Sequence, residues 1–164
     1  MTTAIIFYRS NHTFIGRLVG LVTGSHWSHI GIRHEIQGRY VFTHPLGNHG
    51  VYCVQASEYE EPDDIFELPG ISNDWVTQWC MERWGNDYGF LELARYLIKP
   101  LRRVKPDGGY TCSELGGSML VAASLALEKP FPTDDIARRV AEVREIDISL
   151  ISPQGIRDLL GMGD

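Results

Sequence analysis

Cysteine is scarce in this chain of 164 residues: Cys53, Cys80 and Cys112 are an odd number, set far apart. That excludes the disulfide framework that staples small secreted domains. Long apolar runs are lacking too. No stretch approaches the ~18 residues that read as a membrane-spanning helix, so no integral membrane segment is expected. A basic surplus is missing: 15 Lys and Arg against 21 Asp and Glu leave a net charge of −6, the wrong sign for general nucleic-acid binding. The basic run at residues 99–105 (KPLRRVK) reads as a solvated turn. The opening MTTAIIFYRS lacks the charged start, apolar run and cleavage site of a secretory signal. A reducing cytoplasm is the expected place of synthesis, with export or a phage or lysis setting left open. Neither Cys-x2-Cys nor His-Glu-x-x-His spacing occurs. His26, His29 and His34, joined by Cys53, are the candidates for a zinc set, but on a strand His29 and His34 point to opposite faces. No metal and no cofactor are expected.

What is present is the makeup of one globular domain, with 43% hydrophobic and 22% charged residues. The expectation is a single domain over residues 1–164, with a core at about 4–125 and a C-terminal helical extension at about 129–164. The first half reads as strands at residues 4–8 (AIIFY), 28–33 (SHIGIR), 39–43 (RYVFT), 49–55 (HGVYCVQ) and 64–68 (DIFEL). Between the first two, Phe14, Ile15, Leu18, Val19 and Val22 recur at helical spacing, closed by Gly24. The second half reads as helices. Ser72 or Asn73 caps the first, Phe90, Leu93, Ala94 and Leu97 mark another stopped by Pro100, and a third begins at Thr111. Residues 134–143 and 153–160 are shorter candidates, the last with Pro153 at its first position. Strands and helices in separate blocks predict an α+β domain with an antiparallel sheet packed against helices.

Thr111 and Glu114 stand at capping-box spacing, which makes Cys112 the first residue of its helix. There its sulfur meets unpaired N–H groups at the positive end of the helix dipole, an environment that favours thiolate. A packed, inert cysteine is the competing reading. A thiol nucleophile needs a base, and the base needs an orienting group. His29 shares a strand face with Gly31 and Arg33, while Ile30 and Ile32 feed the core, so His29 is expected to look toward the helix carrying Cys112. His44 ends the next strand, and hairpin pairing brings it within cross-strand reach of His29. Isolated surface histidines are the alternative for both. His26 and Trp27 are candidates for the border of a cleft. Trp75, Trp79 and Trp84 read as a packed helical stripe rather than an acyl groove.

Three segments, SHWSHIGI, RYVFTHP and GYTCSELGGSML, resemble the circularly permuted branch of the NlpC/P60 papain-like cysteine hydrolases. That branch includes lecithin:retinol acyltransferase-like and YiiX/YaeF-like bacterial proteins. NDYGFLELARYL is similar to the helix placed ahead of the nucleophile. The resemblance spans residues 4–125, and His29 preceding Cys112 matches the permuted chain order. It implies a circularly permuted papain-like fold, with Cys112 as nucleophile, His29 as general base and then acid, and His44 as orienter. Glu35 is the substitute orienter, since the hairpin is longer than in compact members. Tyr110, the aromatic residue two before the cysteine, joins His26 and Trp27 as a substrate-side candidate. The implied partner is a peptide, peptidoglycan or acyl substrate, cleaved through an acyl-enzyme without a cofactor. Transfer of lipid acyl groups, thioester hydrolysis and an inactive binding module are the alternatives.

Overall fold

The computed structural model describes residues 2–9, 17, 20–21, 25–47, 49–91, 94, 108–143 and 148–163. The strand signals of the first half become β1 (Ala4–Arg9), β2 (Trp27–Ile36), β3 (Arg39–Leu46), β4 (Gly50–Gln55) and β5 (Asp64–Glu67). They form one antiparallel sheet in the order β4-β3-β2-β1-β5. The β2–β3 hairpin turns at Gln37 and Gly38, both with positive φ (51° and 79°), as a tight primed turn requires. β1 is apolar from Ala4 to Tyr8 because both its faces are covered. Ile5 and Phe7 enter the main core, while Ile6 and Tyr8 pack with Phe42 on the opposite face.

Four α-helices follow among the described residues: α1 (Asn73–Met81), α2 (Cys112–Ala126), α3 (Asp134–Val143) and α4 (Pro153–Leu159). Ser72 caps α1 and Ser152 caps α4, with Pro153 in the first turn. The helices expected over residues 14–22 and 90–97, and the basic run 99–105, fall wholly or largely outside the described residues. α2 lies close on β2 because Gly116 has no side chain; a Cβ there would stand 2.6 Å from Ile30 Cδ1. Leu115, Met119, Leu120 and Ala123 fill the interface and are buried.

The C-terminal segment joins the same core. Phe131, Ile136, Val140, Ile156 and Leu160 belong to the cluster that holds Ile5, Phe7 and Ile30. Arg157 is 5% exposed. It pairs with Asp64 of β5 at 2.7 Å, donates to Gly163 O at 3.0 Å, and lies over the Trp27 ring at 3.9 Å. Its aliphatic stem and flat guanidinium suit such a sandwich.

Two irregularities in β2 shape the site. The β1–β2 register pairs Tyr8 with His29 but Arg9 with Trp27, so Ser28 is an extra residue, a bulge that turns the strand. On the other side, the β2–β3 ladder stops at Ile32–Thr43 although both strands continue. The same register would set Pro45 opposite Ile30. Val51, the β4 partner of Pro45, sends its own N–H to Asn86 O and accepts from Gly85 N. The Val51–Pro45 pair is therefore not hydrogen-bonded, and the Pro45 nitrogen faces β2 with no proton to offer. The two strands part there.

Candidate functional site

The helix start expected from Thr111 and Glu114 is present as a full capping box. Glu114 N donates to Thr111 Oγ1 at 3.2 Å, and Thr111 N donates to Glu114 Oε2 at 3.4 Å. Cys112 opens α2 and is partly buried. Just ahead, a parallel bridge joins Tyr110 to Tyr88, with Gly89 N donating to Tyr110 O and Tyr110 N to Asp87 O, each at 3.0 Å. Gly109 permits this approach, because a Cβ there would lie 2.8 Å from the backbone of Gly89 and Tyr88.

The helix start reaches β2 where β3 leaves it. Cys112 Sγ donates to Ser28 O at 3.8 Å, and the N–H groups of Ile30, Ser113 and Cys112 itself are directed at the sulfur. Ser28 O and Ile30 N lie along one side of β2, so the sulfur occupies the position a paired strand would have taken. Those amides favour thiolate, but burial outweighs them and the thiol is pushed above its ordinary value. The helix start thus holds a resting thiol, not the thiolate that the dipole argument predicted.

His29 Nε2 and His44 Nδ1 are 2.9 Å apart. Both histidines lie on the face of the sheet shared by Tyr8 and Phe42, opposite the face on which α2 packs through Ile30. The expected direction of His29 is thereby corrected. Strand parity separates it from Ile30 and Ile32 as read, but the helix packs on the isoleucine side. His29 instead adjoins in sequence Ser28, the residue whose carbonyl the helix-start sulfur reaches at the parted edge of β2. The sulfur's hydrogen-bond partner is Ser28 O and not a His29 nitrogen. His29 Nδ1 has no hydrogen-bond partner among the described residues. Burial lowers the pKa of both histidines, and mutual repulsion lowers His44 further.

An aromatic wall surrounds this pair. The rings of Tyr59 and Tyr52 lie 4.5 and 4.9 Å from His44, and the Tyr8 ring lies 5.7 Å from His29. Tyr59 and Tyr88 have phenols close enough to the sulfur for charge there to raise their pKa values, though burial is the larger cause in both; Tyr59 is pushed up to about 12. Both remain neutral hydroxyls. Tyr52 was foreseeable, since a hairpin turning near Gly47 pairs it with His44. Tyr59 follows a short 3-10 turn (Ala56–Glu58) and carries no sequence signal.

Other candidates are placed elsewhere. Trp27 is 6% exposed, packed edge-on against Phe7 and covered by Arg157; it belongs to the core and cannot border a cleft. His26 is exposed, and Tyr110 is partly buried beside Cys112. Glu35 lies at the other end of β2 opposite Tyr40, its backbone held by Asn73 through bonds of 2.6 and 2.9 Å. It lines an open groove with Asp74 and Gln78 of α1 and is not available to orient His29. His34 bonds Thr77 and Thr43 at 2.9 and 2.8 Å within the core, away from His26 and His29. Among the described residues no three His, Cys, Asp or Glu side chains converge on a metal position, and no helix is long and apolar enough to cross a membrane.

No protein-family model matches the chain, and no curated protein matches it in sequence.

Proposed function

We propose that the protein is a cysteine hydrolase that cleaves an amide bond, of peptide or peptidoglycan type, through an acyl-enzyme on Cys112, with His29 as base and His44 as its orienter. The observation that carries this reading is the His29 Nε2–His44 Nδ1 contact beside a helix-start thiol. An antiparallel sheet with the cysteine helix packed on it, and His29 preceding Cys112 in the chain, support a circularly permuted papain-like arrangement.

In the reaction, rotation about the Cys112 Cα–Cβ bond swings the thiol from Ser28 O to His29 Nδ1; such contacts often tighten only with substrate bound. The S–H proton passes to Nδ1 as sulfur attacks the carbonyl carbon, and His44 holds the imidazolium through Nε2–H. Backbone N–H groups at the helix start stabilise the developing negative charge. His29 then returns the proton to the leaving nitrogen, the C–N bond breaks, and a thioester remains. Water, deprotonated by His29, attacks that thioester and regenerates the thiol. A resting neutral pair fits this sequence, because the proton moves with the attack and not before it.

Mass-spectrometric mapping after treatment with an acyloxymethyl ketone tests the proposal. Cys112 is expected to be modified faster than Cys53 or Cys80, with His29→Ala removing the difference. Equal, slow reaction of all three cysteines overturns it. A released amine distinguishes the hydrolase from an acyltransferase, which would yield a transferred acyl chain.

A further inference from the structure

His44 is fully buried, and its Nε2 has no hydrogen-bond partner among the described residues. For His29 to accept a proton at Nδ1, its own proton must sit on Nε2 and be donated to His44 Nδ1. His44 must then carry its proton on Nε2, the very atom without a polar acceptor. A buried N–H with no acceptor is costly, so something must receive it.

An N–H bond lies in the imidazole plane, so a ring that receives it must stand steeply to that plane and offer its face. Tyr52 is inclined to His44 by only 30° and is nearly stacked on it. Tyr59 stands at 75°, with ring centroids 4.5 Å apart. Tyr59 is itself held edge-to-face by Tyr8 at 81° and by Phe42 at 90°, so its orientation is fixed by rings other than that of His44.

We infer that Tyr59 is a positioning residue whose ring face receives His44 Nε2–H, locking the tautomer that leaves His29 Nδ1 free to act as base. The contact is an N–H···π hydrogen bond. Without it, His44 gains by moving its proton to Nδ1 and donating to His29 Nε2. The His29 proton then shifts to Nδ1, and the nitrogen meant for the thiol is blocked. The consequence for catalysis rests on the proposed acyl transfer, but the tautomer is a property of the resting protein.

The test is a long-range 1H–15N correlation spectrum of histidine-labelled protein at pH 7. The expected result is a protonated Nε2 and bare Nδ1 on both His29 and His44, with the His44 Hε2 resonance moved upfield by the Tyr59 ring. Tyr59→Phe keeps this pattern because the ring remains. Tyr59→Leu shifts His44 toward the Nδ1–H form and slows iodoacetamide alkylation of Cys112 on the order of tenfold. A wild-type His44 protonated at Nδ1, or without the upfield shift, overturns the inference even if Tyr59→Leu fails to fold. So does a folded Tyr59→Leu protein with an unchanged spectrum. Failure of Cys112 to form an acyl-enzyme while the spectrum is as expected counts against the proposed hydrolase alone.

Discussion

Burial acts on Cys112 and His29 in opposite directions, raising the thiol and lowering the imidazole. Both changes favour the uncharged forms. The reactivity of Cys112 toward iodoacetamide should therefore climb with pH through its ordinary pKa and beyond, as thiolate accumulates. A flat rate between about pH 5 and 8, which a preformed thiolate–imidazolium pair produces, would count against the neutral resting state. His34 carries a related consequence for stability. Its folded pKa is lowered to about 4 from 6.5, so below pH 6.5 the unfolded chain binds a proton that the folded protein refuses. That stability is complete above pH 6.5 and is lost as pH falls toward 4, roughly 3 kcal/mol for a shift of this size. Acid titration of the unfolding free energy should show this slope, and His34→Gln should lessen it by that share while leaving the part that His29 and His44 contribute.

The helix start and the strand it meets form the next level. Thr111→Ala removes one half of the capping box and should cost about 1 kcal/mol, measured by urea unfolding, while loosening the residue that carries the thiol. Gly109 and Gly116 are both close-approach positions with different tolerance. A Cβ at Gly109 meets backbone on two residues, which cannot swing aside, so Gly109→Ala should destabilise by about 1–3 kcal/mol. At Gly116 the obstacle is the tip of the Ile30 side chain. Ile30→Val removes that methyl, and a double-mutant cycle should show Gly116→Ala costing less in its presence. Much of this level was legible in the sequence. A short apolar run marked β1, apolar–polar alternation marked β2, and Thr111–Glu114 spacing marked the start of α2. The meeting of His29 and His44 followed from hairpin pairing of their two strands. The side of the sheet that α2 covers was not legible, because alternation separates two faces without saying which one a later helix will choose. Nor was the Ser28 bulge, since a ladder slip leaves the local residue pattern intact. Tyr59 escaped for a third reason: its place depends on the path of a connection, which no periodicity describes.

Across the whole molecule, the C-terminal segment belongs to the framework of the site. Arg157 links α4 to β5 through Asp64 and to the start of β2 through Trp27, and Trp27 precedes the bulged Ser28. Removing the cation leaves the Asp64 carboxylate unpaired, although its partial exposure softens the loss. Arg157→Ala should destabilise by about 2–4 kcal/mol, combining the broken pair with lost packing. Deletion of residues 152–164 strips Ile156 and Leu160 from the core and should abolish cooperative thermal unfolding. A shortened chain that still melts sharply would show the segment to be dispensable.

Pro45 gives the parted strands a further meaning. A residue there with an N–H could extend the β2–β3 ladder onto Ile30, satisfying the backbone and closing the slot that the sulfur fills. Pro45→Val should then compete with Cys112 for the same edge, leaving a protein that unfolds no more easily yet reacts more slowly at its thiol. Under the proposed acyl transfer, the open seam trades sheet continuity for chemistry, the kind of compromise between stability and activity that proteins carry at their working parts.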